Sequence, residues 1–339
     1  MIDALRGAAT RLALADRAGV WAVALGLALA VSLAFGLTRG AANVPIAELP
    51  AALVDSSHPL HAVVFSVRLP RLGVAAFVGA ALAVAGALLQ TAVRNPLADP
   101  GLLGVSAGAA LAVMCGLLFA PGWPEILPLL GFVGGIGAMG VLLVASSGAP
   151  GRDHPLRLVL CGVALQSLFF AGVSVLTFLF AERAPSFVGF TLGSLNGVGW
   201  REAGLVAVPA LVGIVLALAS IRALDVMLLD ESSASGVGLD VRKARIGVAC
   251  IGALLAAGAV SVAGLVGFVG LVVPNAVRLV VGPAHRLLVP LAALGGGAFV
   301  VLADTVARTA VAPIELPVGV PLACVGAPYF LYLVWKARA

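Results

Sequence analysis

Apolar residues in this chain fall into long runs rather than into alternation with polar ones. Ten stretches carry the pattern: Trp21–Leu37, Leu72–Gln90, Leu102–Ala120, Ile126–Ser146, Leu158–Phe180, Glu202–Ile221, Ala244–Ala263, Gly267–Val281, Leu287–Val306 and Val318–Trp335. At about 1.5 Å of rise per residue, roughly 20 helical residues cross the hydrocarbon core of a bilayer. Most of the runs are of that length. Gly267–Val281 is shorter and rich in glycine, which predicts a half-length or tilted span. A membrane β-barrel would instead show alternating segments of roughly ten residues. The pattern predicts an all-α polytopic membrane protein with about ten transmembrane helices in a single domain over 1–339. The first run follows Arg6, Arg11 and Arg17 and precedes Ala41 and Ala42, as a signal peptide would. With so many spans behind it, a retained first span is expected.

Composition supports this. The chain is 62% hydrophobic and 10% charged, with a mean hydropathy of +1.16. A soluble domain carries roughly 25% charged residues, so bilayer lipid has to be a large part of the solvent. Frequent glycine suits transmembrane bundles, whose helices approach closely through small residues. The net charge of +5 matters by position. With the N-terminus inside and the spans alternating, Arg39, Arg68, Arg71, Arg183, Arg201 and Arg308 fall outside. The other 14 of the 20 Lys and Arg residues fall on the cytoplasmic side, a positive-inside bias. No basic block interleaves with aromatics, so nucleic acid is not an expected partner. Cys115, Cys161, Cys250 and Cys324 stand singly in apolar stretches and imply no disulfide framework.

Several motifs mean less than they spell. Gly135-Ile136-Gly137-Ala138-Met139-Gly140 fits the dinucleotide fingerprint but lies inside an apolar run without the strand and acidic residue that site needs. Gly104-Val105-Ser106-Ala107-Gly108 fits a serine-nucleophile pattern, yet His58, His61, His154 and His285 lie in loops or at span ends, away from Ser106. Helix packing through small residues is the expected role of both. There is no phosphate-binding P-loop and no Cys/His cluster, so neither a nucleotide, a metal nor another cofactor is expected on the chain, nor catalysis by it. An ion-coupled secondary transporter is the rival class, and it needs carboxylates within spans. Asp304 is the best candidate for one, with Arg308 four residues on as a structural ion-pair partner.

Three stretches are unusually punctuated by glycine, proline and polar residues. The first holds Arg68-Leu69-Pro70-Arg71, Gly79 to Gln90, and Arg94-Asn95-Pro96-Leu97-Ala98-Asp99-Pro100-Gly101 through Gly108. The second is Asp225 to Arg242 with Gly236-Val237-Gly238-Leu239-Asp240. The third runs from Ala263-Gly264-Leu265 to Pro274, through Gly282-Pro283-Ala284-His285-Arg286 and Asp304…Arg308, to Glu315-Leu316-Pro317 and Gly326-Ala327-Pro328-Tyr329. In order and spacing, over roughly residues 60–336, these resemble the FecCD or BtuC-like family, permeases of iron-chelate, heme and cobalamin importers driven by ATP.

The resemblance implies a type II importer permease in the bacterial inner (cytoplasmic) membrane, paired with itself as a homodimer around the substrate path. It implies two copies of a separate ATP-binding-cassette ATPase and a periplasmic binding protein. An iron chelate, whether siderophore or heme, is the expected cargo, and cobalamin the alternative. By the same resemblance, Arg68, Arg71 and Arg308 would dock acidic residues of the binding protein. The cytoplasmic loop 222–245 would couple to the ATPase, with Leu228, Leu229, Ser235, Gly236, Gly238 and Leu239 at its core. His154, Pro155 and Leu156 occupy the position of a cytoplasmic gate that is usually small and polar. Gln90 and Gln166 would be polar points on the path, or else packing hydrogen bonds. Asp230 replaces a usual glycine, Ser235-Gly236-Val237-Gly238 an alanine- and leucine-rich run, and Asn275 a usual histidine.

Overall fold

The computed structural model describes residues 2–40, 43–146, 155–180, 184–229, 231–312 and 314–336. Regular structure among them is helical throughout: α1 (Ile2–Thr38), α2 (Leu49–Val54), α3 (Leu69–Val93), α4 (Val105–Phe119), α5 (Leu127–Ser146), α6 (Pro155–Leu179), α7 (Ala184–Leu192), α8 (Trp200–Ala219), α9 (Ile221–Val226), α10 (Glu231–Gly236), α11 (Val241–Ala263), α12 (Val269–Val281), α13 (His285–Thr309) and α14 (Gly319–Lys336). Each of the ten apolar runs is a helix. Seven are long and apolar enough to cross a membrane, and α4, α12 and α14 are shorter apolar helices. A π-helical stretch, Ala62–Arg68, runs directly into α3, so that Ala62–Val93 is one helix of 32 residues.

The middle of the bundle is α3. From residue 81 to residue 93 every one of its residues is buried, because it is apolar or small on all faces. It packs against α8, α11, α12 and α13, while α4, α5 and α6 form a second group and α1 lies along α13. Glycine sets the central distances. A Cβ on Gly79 would lie 2.0 Å from the carbonyl oxygen of Gly296 in α13, and one on Gly296 would lie 2.2 Å from that of Gly79. Of the fingerprint-like glycines Gly135 has the packing role expected, whereas Gly137 and Gly140 face open space with nothing within 4 Å of a would-be Cβ; Gly108 of the serine-type pattern also packs closely. A Cβ on Gly135 would lie 2.8 Å from that of Ala257, and one on Gly108 2.4 Å from that of Ala138.

Two breaks interrupt the helices. Between α3 and α4 the chain turns through a 3-10 segment, Pro100–Leu103, capped by the Asp99 carboxylate, which accepts from Gly101 N at 2.8 Å. Pro100 lies against Gly270 at the level of Leu82, midway along α3. Between α11 and α12 the residues 264–268 are irregular. Leu265 N donates to Phe190 O at 2.9 Å, and Ser194 N to Ala263 O at 2.9 Å. Non-helical backbone is tolerated at membrane depth when protein supplies such partners. Phe268 starts α12 at φ +67°, and a Cβ on Gly326 of α14 would lie 2.3 Å from Phe268 Cβ. These breaks account for the half-length span expected at Gly267–Val281.

Candidate functional site

Arg68, Arg71 and Arg308 lie together at one end of the bundle. They are buried, at 4%, 7% and 5% exposure. Arg71 Nε donates to both oxygens of Asp304 at 3.1 and 3.2 Å, its Nη2 to Oδ1 at 2.9 Å, and its Nη1 to Glu315 Oε2 at 2.8 Å. Arg308 Nε lies 3.0 Å from the other Asp304 oxygen as an ion pair, at an angle outside hydrogen bonding. Arg68 donates to Leu37 O at the end of α1. The group ties α1, α3, α13 and the segment before α14 to one another. The Asp304–Arg308 pair expected from i,i+4 spacing is present, and Arg71 joins it from a position 233 residues away. Glu315, with its side chain one-third exposed, is the accessible carboxylate of the group.

At the opposite end lies the segment 222–245. Its α9 is fastened by Asp225, whose Oδ1 accepts from His285 N at 2.9 Å and lies 2.8 Å from His285 Nδ1. His285 Nε2 is 2.8 Å from Thr91 Oγ1 on α3. The histidine is 1% exposed and joins the segment to α3 and α13. Arg94 Nη2 donates to Leu229 O at 2.8 Å, a second attachment. Leu228 and Leu229 between these anchors are half-exposed. Ser235 and Gly236 close α10, and a Schellman turn follows. Gly238 has φ +85°, and Leu239 N reaches back to Ala234 O at 3.3 Å. Leu239 packs on the core. Asp240 caps α11 by accepting from Lys243 N at 3.0 Å, and that bond holds its carboxyl below the usual range. Replacing Gly238 by alanine is expected to destabilise this turn by about 1 kcal/mol, readable as faster amide exchange at Leu239 and Asp240.

Of the gate positions, His154 lies outside the described residues, as does the departure at Asp230. Pro155 opens α6, with Leu156 following in its first turn.

The polar points inside the bundle separate into two roles. Pro274 has no N–H, which leaves Gly270 O without its helical donor. Gln90 supplies one, Nε2 to Gly270 O at 3.1 Å, and accepts from Arg278 through Oε1. Gln90 is therefore a packing hydrogen bond between α3 and α12. Asn275 does similar work, donating to Pro96 O and Leu271 O, each at 2.8 Å. Gln166 has a different setting. With Asp99, Ser106, Phe170, Leu265 and Gly267 it lines a cavity of about 200 Å³ where the two helix breaks meet. Among the described residues, no group of three or more His, Cys, Asp or Glu side chains could hold a metal ion.

Sequence reasoning missed Asp225, Thr91 and His285 as a set, and Glu315 as the second carboxylate of Arg71. A usable signal was present, since each is a polar residue at the end of an otherwise apolar run.

Comparison with known proteins agrees with this geometry. The FecCD transport family matches residues 28–336. The hemin transport system permease HmuU of Yersinia pestis is 39% identical over 80% of this chain and 83% of its own length. The cobalamin import permease BtuC of Halobacterium salinarum is 38% identical, covering 90% and 85%. The Fe(3+) dicitrate permease FecD of Escherichia coli is 36% identical, covering 92% and 97%. A solved structure presented as an inward-facing conformation of a metal-chelate type ABC transporter superposes with a TM-score of 0.81 at 31% identity, covering 93% of this chain and 98% of that one. Helix order, helix breaks and sequence together place the protein: the chain is a multi-pass membrane protein and belongs to the FecCD transport family.

Proposed function

We propose that the chain is the membrane permease of an ATP-driven importer that carries an iron chelate, a siderophore complex or heme, inward across the bacterial cytoplasmic membrane. Cobalamin is the alternative cargo. Family membership supports the importer class, and relatives named for hemin, cobalamin and ferric dicitrate support the range of cargo. The observation that carries the mechanism is the division of the bundle into two ends. One holds the arginines, and the other holds an apolar segment fastened to the helices by Asp225, His285 and Arg94.

In this reading the chain is one permease domain over 1–339, and ATP is hydrolysed on a separate subunit present in two copies. Leu228 and Leu229 enter that subunit. Its closure is passed through Asp225 and His285 to α3 and α13, a small displacement at a docked element moving packed helices. Two permease chains pair, and the large apolar side chains that α6 and α14 turn outward, such as Leu168 and Leu331, are surfaces for that pairing. The cavity around Gln166 is a polar contact on the path. A binding protein docks at the other end with carboxylates directed at Arg68, Arg71 and Arg308, and at Arg71 the incoming carboxylate takes the place of the accessible Glu315. Arginine is suited to this because its fork accepts a new carboxylate without losing charge.

The test is uptake. The chain is reconstituted in proteoliposomes with its ATPase and binding protein, and ferric siderophore, heme and cobalamin are offered side by side. ATP-dependent accumulation of one is expected. Accumulation driven by an ion gradient with the ATPase absent would overturn the importer reading. Leu229→Asp places a charge on the docking knob and should reduce uptake by roughly tenfold or more, the loss of a contact of about 1.4 kcal/mol. Its thermal stability should stay near wild type, because the position is half-exposed.

A further inference from the structure

We propose that the chain carries a phosphate-binding site beside the segment 222–245, formed by Arg94 and Arg278. A cavity of about 470 Å³ lies between the end of α3, the turn at Met227–Leu229 and the last turns of α12. Both guanidinium groups line it, together with Asn95, and Met227, Leu228 and Pro283 form an apolar wall.

The charges here are treated unlike those at the other end. There, Arg71 and Arg308 share the carboxylates of Asp304 and Glu315. In this cavity every acceptor that the two guanidinium groups reach among the described residues is neutral. Arg278 donates to Gln90 Oε1 and at 3.4 Å to Asn275 Oδ1 and Ala87 O. Arg94 donates to Leu229 O at 2.8 Å and to Met227 O at 3.4 Å. Among the described residues no carboxylate lies within ion-pair distance of either. Asp225, close by on α9, is engaged by His285. Two guanidinium groups on one cavity repel each other, and an anion between them reverses the sign of that interaction.

The backbone also commits Arg94 to this place. It ends α3 at φ +54°, a region that side chains other than glycine seldom enter, and Asn95 N closes the turn on Gln90 O at 3.0 Å. Asn95 Oδ1 accepts from Leu97 N at 2.9 Å, which leaves the amide nitrogen as a further donor.

Phosphate is the anion that this set fits. Arginine forks bind its oxygens in pairs, and several donors can share one tetrahedral group. The cavity is larger than phosphate alone, and its apolar wall suits the glycerol and first acyl carbons of a lipid. A carboxylate side chain from a docked protein would leave most of the space unfilled. The same chemistry is offered by the phosphodiester of an anionic phospholipid and by free phosphate.

The experiment uses the full chain purified in mild detergent. Thermal unfolding is followed with sodium phosphate against sodium chloride of equal ionic strength, and with phosphatidylglycerol against phosphatidylcholine in the micelles. A rise in Tm with phosphatidylglycerol alone identifies a lipid site. A rise with phosphate alone identifies a soluble ligand, and a rise with both identifies a site open to either. In each case Arg94→Gln, at an exposed position that should fold, is expected to weaken binding about tenfold, and Arg94→Lys less. No rise in either arm overturns the proposal. So does a rise that Arg94→Gln leaves unchanged, or a need for Arg94 seen only in binding of the ATPase subunit.

Discussion

Replacing Asp304 with asparagine is expected to destabilise the protein by about 3–5 kcal/mol, the usual consequence of removing one partner from a buried ion pair. The carboxylate is fully buried and faces both Arg71 and Arg308. Asparagine keeps the shape and removes the charge, so two guanidinium groups would be left in a nearly closed space. Glu315→Gln is the informative comparison. That side chain is one-third exposed and meets Arg71 alone, so the loss should be about 1 kcal/mol. Denaturant unfolding in detergent, followed by tryptophan fluorescence, measures both. Equal losses would show that Asp304 has no special place in the network. Asp304→Asn combined with Arg308→Met should recover part of the loss, because it removes one stranded charge.

The second large effect is steric. A Cβ on Gly86 would lie 1.8 Å from Gly270 O and 2.5 Å from Gly270 Cα. Both obstacles are backbone, so no side chain can rotate out of the way and α3 and α12 have to separate. Gly86→Ala is therefore expected at the upper end of overpacking losses, about 3 kcal/mol. It should also break the Gln90 bond to Gly270 O. Gly73, in the same helix, has nothing within 4 Å of its would-be Cβ. Gly73→Ala should be neutral or stabilise by up to about 1 kcal/mol through helix propensity. The pair separates crowding from propensity in one set of melting curves.

The spans were legible because a bilayer asks for long apolar runs, and such runs leave few alternatives. Even the short α12 was visible in Gly267–Val281. What escaped was short or distant. The small helices α2, α7 and α9 have too few turns to show a period. Sequence alone could not bring Arg71 to Asp304, 233 residues away, whereas Arg308, one helical turn from Asp304, could be paired on spacing alone. His285 looked like a residue at the end of a span, and only the fold brings Asp225 and Thr91 to its two nitrogens. The gate expected at His154 falls outside the described residues.

The enclosure of α3 has a consequence for how movement in this protein can be observed. From residue 81 to residue 93 α3 is surrounded on all sides and can shift only together with the helices packed on it, whereas α6 and α14, with their outward apolar faces, can move against that unit. Spectroscopic labels at the two ends of α3 should therefore hold a constant separation through a transport cycle and serve as the fixed frame. Labels on α6 or α14 should then report displacement against it.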